Sequence, residues 1–330
     1  MDVGTWIWTG TLACLGALLV FDLIVVGRRP HEPSLKESTI WVAAYVGLAV
    51  AFGIGVALHW NGDLAKQFFT GWLTEYSLSV DNLFVFVIIM SRFAVPRPFQ
   101  QKTLLVGIIL ALIMRGAFIA AGSAAIHQFS WVFYLFSVFL IYTAVRLATQ
   151  GEPGPDEFKE NPVIRWSRRV LPMAEHYSDD RLTVRDATTG RRLLTPMVVV
   201  LIAIGTTDLI FALDSIPAIF GLTKEPYLVF AANVFALMGL RQLYFLLGGL
   251  LERLVYLSVG LAVVLGFIGV KLFLDALSDN TLPFINKGEP IDWVPQFGIG
   301  LSLGVILGTL AITTIASLIK SRTEKPAERS

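Results

Sequence analysis

Long apolar runs alternate along the chain with short charged breaks. Nine runs are about 20 residues long, the length an α-helix needs to cross a hydrocarbon core of roughly 30 Å. They fall at approximately 6–26, 40–58, 68–90, 103–126, 130–149, 196–220, 227–250, 254–277 and 296–319. The pattern predicts an all-α polytopic membrane protein with about nine transmembrane helices. The first run follows Asp2 rather than a basic segment and has no clear small-residue cleavage site, so it reads as a retained helix and not a signal peptide.

One sizeable polar segment, 150–195, separates the fifth run from the sixth. Within it "NPVIRWSRRVLPM" predicts a short basic amphipathic helix on the membrane surface, and "RLTVRDATTGRRLLTP" alternates like a hairpin around Thr189-Gly190. "AEHYSDD" (Glu175, His176, Asp179, Asp180) reads as a solvated acidic turn, and the terminal "SRTEKPAERS" as disordered. The organisation expected is a two-helix segment over 1–66, a first transmembrane repeat over 67–149 and a cytoplasmic loop over 150–195. A second repeat over 196–278 and a final helix with its tail over 279–330 complete it.

Composition narrows the class. Apolar residues make up 55% of the chain and charged ones 15%, with a mean hydropathy of +0.68, which excludes an ordinary soluble domain. Cys14 is the single cysteine, so an intrachain disulfide or a thiolate metal cluster is excluded. With the N-terminus outside, the cytoplasmic segments hold 19 Lys and Arg residues and the outer loops only 3, namely Lys66, Lys224 and Lys287. That bias predicts an N-out, C-in topology. The net charge of +1 therefore hides a polarised molecule whose basic loops face lipid, and no nucleic-acid partner is inferred.

The chemistry lies in the acids that interrupt two apolar runs. "TEYSLSVDN" (74–82) and "TDLIFALDS" (207–215) share one pattern: Thr, an acid, five residues, Asp, then a small polar residue. It aligns Thr74, Glu75, Asp81 and Asn82 with Thr207, Asp208, Asp214 and Ser215. "ALIMRG" and "ALMGLR" deliver Arg115 and Arg241, while "IYTAVRLA" and "GFIGVKLF" align Arg146 with Lys271. Runs three to five and six to eight thus read as two copies of a three-helix unit. Because three is odd, the second copy enters the membrane from the opposite side, giving an inverted three-plus-three repeat of the secondary-transporter kind.

A central Asp costs roughly 3 kcal/mol on insertion, whereas each Leu, Ile, Phe or Val returns about 0.3 to 0.6. Twelve such residues lie between Phe68 and Ile89, so with Glu75 and Asp81 charged the third run barely inserts alone. Six helical residues turn 600°, which separates Glu75 and Asp81 by about 120° and about 9 Å along the axis. They are not expected to grip one small ion together. Thr74 and Ser77 share the face of Asp81, and Thr207 that of Asp214. The simplest site opposes Asp81 and Asp214 near the midplane. Pro217 cannot donate to the Leu213 carbonyl, which becomes an available oxygen ligand.

Carboxylate, amide, hydroxyl and carbonyl oxygens suit hard divalent ions such as Mn²⁺, Mg²⁺ or Ca²⁺. Asn82 and Asn233 add neutral oxygens, although Asn233 equally fits a hydrogen bond between packed helices. Glu75 and Asp208 are expected to carry protons or relay the ion; the alternative is structural pairing with Arg115 and Arg241. Arg146 and Lys271 are expected to snorkel, and His59 and His127 to lie at the interface. No resident cofactor is called for.

The segments "EYSLSVDNLFVFVIIMSRFAVP", "DLIFALDSIPAIFGLT" and "VFAANVFALMGLRQLYFLL" resemble the signature segments of the TerC family, integral membrane proteins associated with tellurium resistance and including the Alx-type proteins. The resemblance implies a bacterial inner-membrane protein whose relatives export manganese. Its functional positions would be Glu75, Asp81, Asp208 and Asp214, with Asn82 beside them. An older family label of redox modulator finds no support in one cysteine and no evident haem or flavin motif. The expectation is a non-enzymatic Mn²⁺ exporter working by alternating access with proton counter-transport. Its alternatives are a metal-sensing or partner-organising membrane protein with 150–195 as its output, and an intramembrane aspartyl enzyme, whose Gly-x-Gly-Asp motif is missing.

Overall fold

The computed structural model describes residues 3–28, 33–129, 131–150, 162–174, 177, 181–185, 190–247, 256–280, 282, 285–291 and 293–324. Helices α1 (Thr5–Arg28), α2 (Leu35–His59), α3 (Gly62–Arg92), α4 (Arg97–Gln128) and α5 (Val132–Gln150) precede the polar segment. That segment contributes α6 (Pro162–Val170) and a two-stranded hairpin, β1 (Thr183–Arg185) with β2 (Arg192–Leu194). Helices α7 (Pro196–Phe220), α8 (Pro226–Met238), α9 (Leu240–Leu247), α10 (Leu257–Ser278) and α11 (Ile299–Glu324) follow. Among the described residues eight helical spans are long and apolar enough to cross a membrane, and Thr5–Phe21 is a shorter apolar run. The chain is an all-α polytopic membrane protein.

Local chemistry sets the helix ends. Ser34 accepts from the Glu37 amide at the start of α2, and Asn61 Oδ1 accepts from the Leu64 amide at 2.8 Å at the start of α3. Pro196 and Pro226 open α7 and α8, where a missing N–H costs nothing. Helix α3 ends on Ala94 in the left-handed region, φ 50°. There Val95 N–H donates to Met90 O and Ala94 N–H to Ser91 O, a Schellman closure that places Val95 against Met90 in the core.

Helix α3 is the centre of the bundle and packs on α2, α7, α8 and α11. Glycines permit close approach where helices cross. A Cβ on Gly107 of α4 would stand 2.7 Å from Ile204 of α7, and one on Gly205 of α7 would stand 2.7 Å from Leu110 of α4. Helices α5 and α10 form the most extensive pair, with Gly269 against Ile141 and Leu140. The outer faces of α5 and α11 expose Leu135, Val138, Val145, Leu307, Ile312 and Ile319, as lipid contact requires.

The expected amphipathic helix is α6, which buries Ile164 and Ser167 toward α7 and leaves Arg165, Trp166 and Arg169 outside. The expected hairpin forms with Arg185 opposite Arg192, and Gly190 takes φ 67°. Three boundaries differ from expectation. Helix α3 begins at Gly62, because Asn61 caps it ahead of the apolar run. The seventh run divides at Gly239 into α8 and α9. Ser321–Glu324, expected to be disordered, continue α11. Glu175, His176, Asp179, Asp180 and 325–330 lie outside the described residues.

Candidate cation site within the membrane

Helix α4 carries Arg115 in a long apolar stretch, and the side chain is fully buried. A guanidinium cannot shed its charge, so it must find acceptors inside the protein. It finds them on three other helices. Arg115 Nε and Nη2 donate to the two carboxylate oxygens of Asp208 on α7, at 3.2 and 3.0 Å. Nη1 donates to Ser215 Oγ on α7 at 3.3 Å and to Asn233 Oδ1 on α8 at 3.1 Å. The same nitrogen forms an ion pair with Glu75 of α3. Glu75, Asp208, Ser215 and Asn233 are each no more than 1% exposed.

The structural pairing expected of Glu75 and Asp208 is therefore present, and Arg115 pairs with both. Arg241 is buried elsewhere, beside Leu18, Leu19, Tyr45, Leu105, Ile108 and Met238. Gly239, with φ −82° and ψ −10°, interrupts the helix between α8 and α9, and Arg241 lies just beyond it, in α9.

Packing also fixes the relative heights of the acids. Gly71 of α3 meets Ile219 of α7, and further along α3 Glu75 shares the Arg115 Nη1 with Ser215, so the helices run antiparallel. This register sets Asp214 near the level of Glu75 and Asp81 near that of Asp208. Asp81 and Asp214 are then offset by about five residues, roughly 7 Å along the axis. On this register Asp81 and Asp214, expected to oppose each other, stand at different levels of the α3–α7 pair. Both aspartates are partly exposed, and Asp214 lies within electrostatic range of Arg115 and Asp208.

Supporting oxygens line the same helices. Thr74 Oγ1 donates to Thr70 O at 2.8 Å and Ser77 Oγ to Leu73 O at 2.7 Å, which leaves their lone pairs able to accept or ligate. Asn82 and Thr207 are buried on α3 and α7. Asn233 makes the hydrogen bond between packed helices expected of it, its oxygen accepting from Arg115 of α4, while its amide nitrogen donates to Val229 O within α8. Pro217 lies inside α7 and offers no N–H to the Leu213 carbonyl, whereas the Leu213 side chain points outward.

With Glu75 and Asp208 both ionised around one guanidinium, this buried triad carries a formal charge of minus one, enclosed by apolar helices. Only a cation, protons or both can offset it at that depth. Its donors are all oxygens, the set that hard divalent ions prefer.

Lys271 departs from the snorkelling expected of it. It is 8% exposed, donates to Gly221 O at 3.0 Å where α7 ends, and pairs with Asp275 one turn along α10. The Lys271/Asp275 spacing on one helix face was the available signal. Nearby, Thr223 donates to Gln67 at 2.6 Å and Lys224 pairs with Asp279.

An all-helical membrane bundle with a charged cluster shared by four helices defines a polytopic protein with an intramembrane polar site. Residues 60–325 match the model of the integral membrane protein TerC family, and the chain belongs to that family. It is similar to an uncharacterised membrane protein of Mycobacterium tuberculosis (strain ATCC 25618 / H37Rv), 47% identical over 325 residues, covering 98% of this chain and 81% of the relative. An uncharacterised membrane protein of Myxococcus xanthus is 40% identical over 317 residues, 96% and 93% of the two chains. The Escherichia coli (strain K12) protein whose name proposes it as the membrane-bound redox modulator Alx is 36% identical over 327 residues, 95% and 94% of the two chains. No solved structure matches.

Proposed function

We propose that this chain exports a divalent cation, Mn²⁺ first among candidates, across the inner membrane by alternating access, with protons moving in exchange. The observation that carries the reading is the surplus of buried carboxylates. Glu75 and Asp208, both buried, share the one Arg115 guanidinium, and Asp214 lies within electrostatic range of it. A merely structural network needs only enough acid to neutralise its arginine. The choice of Mn²⁺ over Mg²⁺ or Ca²⁺ comes from the family resemblance, and the requirement for a hard cation from the donors.

Alternating access fits an inverted repeat, the reading that the sequence motifs suggest. Exchanging α3 with α7 and α4 with α8 converts the α3–α8 packing into the α7–α4 packing, and both are extensive. The N-out, C-in topology rests on the 19-to-3 basic bias and makes the α6 end cytoplasmic.

The test is Mn²⁺ uptake into inside-out vesicles by wild type and by Asp81→Ala and Asp214→Ala, with pH recorded inside. Each variant is expected to lose uptake at least tenfold, and full uptake by both overturns the site. A second reading, a metal-sensing or partner-organising membrane protein, is favoured by the complete engagement of Asp208 with Arg115. Deleting 155–190 separates the two, since a carrier keeps measurable flux and a signalling module loses its output.

A further inference from the structure

The groups that hold Arg115 have the composition of a cation shell. Two carboxylates, a hydroxyl and an amide oxygen converge on the guanidinium from α3, α7 and α8. Both oxygens of Asp208 are engaged by it, through Nε and Nη2. A divalent ion and a guanidinium repel each other, and the burial of Arg115, Glu75 and Asp208 weakens the screening between them. They cannot use the Glu75–Asp208 pair at the same time.

We propose that Arg115 is a built-in counter-cation, which fills the Glu75–Asp208 pair when no metal is bound and is displaced when metal enters it. The inference rests on the reading of the chain as a divalent-cation carrier and adds how its site is reset between cycles. Arginine suits the task because it stays charged throughout, so its release needs no deprotonation. An unloaded carrier lacking it would bury two uncompensated carboxylates. A destination for the displaced group is at hand: Asp214 precedes Ser215, which Arg115 already reaches, and lies within electrostatic range of the guanidinium. Arg115 thereby weakens metal binding enough for release, because apparent affinity falls with the fraction of molecules whose site is open.

The experiment measures Mn²⁺ binding to the full chain in detergent, by the paramagnetic resonance signal of unbound Mn²⁺, for wild type, Arg115→Gln and Arg115→Lys. Arg115→Gln is expected to bind Mn²⁺ with a dissociation constant about tenfold lower than wild type, the gain expected if about a tenth of wild-type molecules are open. Its turnover in vesicles is expected to fall, because the loaded form no longer has an internal competitor to expel the ion. Arg115→Lys keeps the charge without the two-pronged grip on Asp208, and its affinity is expected between the two. Should Arg115→Gln fail to survive without metal, it is purified in Mn²⁺ and dialysed, and Arg115→Lys carries the comparison. Binding by either variant no tighter than by a wild type that transports Mn²⁺ overturns the inference and leaves the carrier reading standing. A wild type that neither binds nor moves Mn²⁺, Mg²⁺ or Ca²⁺ overturns both.

Discussion

Arg115 offsets its burial with five acceptor atoms drawn from Glu75, Asp208, Ser215 and Asn233. Removing one partner from such a cluster is costly because the others keep their charge. Arg115→Met is therefore expected to destabilise the metal-free protein by about 3–5 kcal/mol. Glu75→Gln, Arg115→Met and Asp208→Asn combined should recover most of that loss, since the two carboxylates that the guanidinium paired with lose their charge along with it. Thermal unfolding in detergent without divalent ions checks both, and equal damage by the single and triple variants would refute the account. The acids of this cluster were legible in the sequence, because Glu75, Asp81, Asp208 and Asp214 break apolar runs that otherwise suit lipid. Their partner was not. "ALIMRG" and "ALMGLR" present Arg115 and Arg241 in similar surroundings, and only the packing of α4 between α7 and α8 chooses the first.

Helices were the easiest elements to read, since run length reports the membrane thickness they must cross. Their ends were harder, because caps such as Asn61 lie in polar breaks where apolar periodicity is silent. The amphipathic α6 and the hairpin were legible from their own local patterns. The burial of Lys271 was legible only through its spacing to Asp275, because its other partner is the Gly221 carbonyl at the end of another helix. Close contact between elements makes its own prediction. A Cβ on Gly269 of α10 would stand 2.9 Å from Ile141 Cγ1 and 3.1 Å from the Ile141 backbone nitrogen. Gly269→Val is expected to part α5 from α10 and cost about 1–3 kcal/mol, because the backbone cannot yield as a side-chain tip can. A lowered melting midpoint would agree, and an unchanged one would show that the pair tolerates separation.

The bundle as a whole is cross-linked by polar pairs at the end where α7 stops. Thr223 with Gln67 joins the α7–α8 connection to α3, Lys271 with Gly221 joins α10 to α7, and Lys224 with Asp279 spans the same two elements at the surface. The alternating access proposed above would require this end to open in some part of the cycle. A bifunctional thiol reagent joining Gln67→Cys to Thr223→Cys, in a chain with Cys14 replaced by Ser, should stop transport without abolishing Mn²⁺ binding. Cutting the cross-link should restore movement. Continued flux with the link intact would mean that the two elements never separate.

The shared arginine also imposes an order on biosynthesis. Asp208 follows Arg115 by 93 residues, so a nascent chain leaving the translocon holds an arginine and a glutamate whose third member is still on the ribosome. Until that member arrives, the early helices must keep their charges in company with water, lipid headgroups or a chaperone. A message truncated ahead of α7 should accordingly yield a fragment that quality-control proteases remove quickly, while the later half supplied in trans would extend its lifetime.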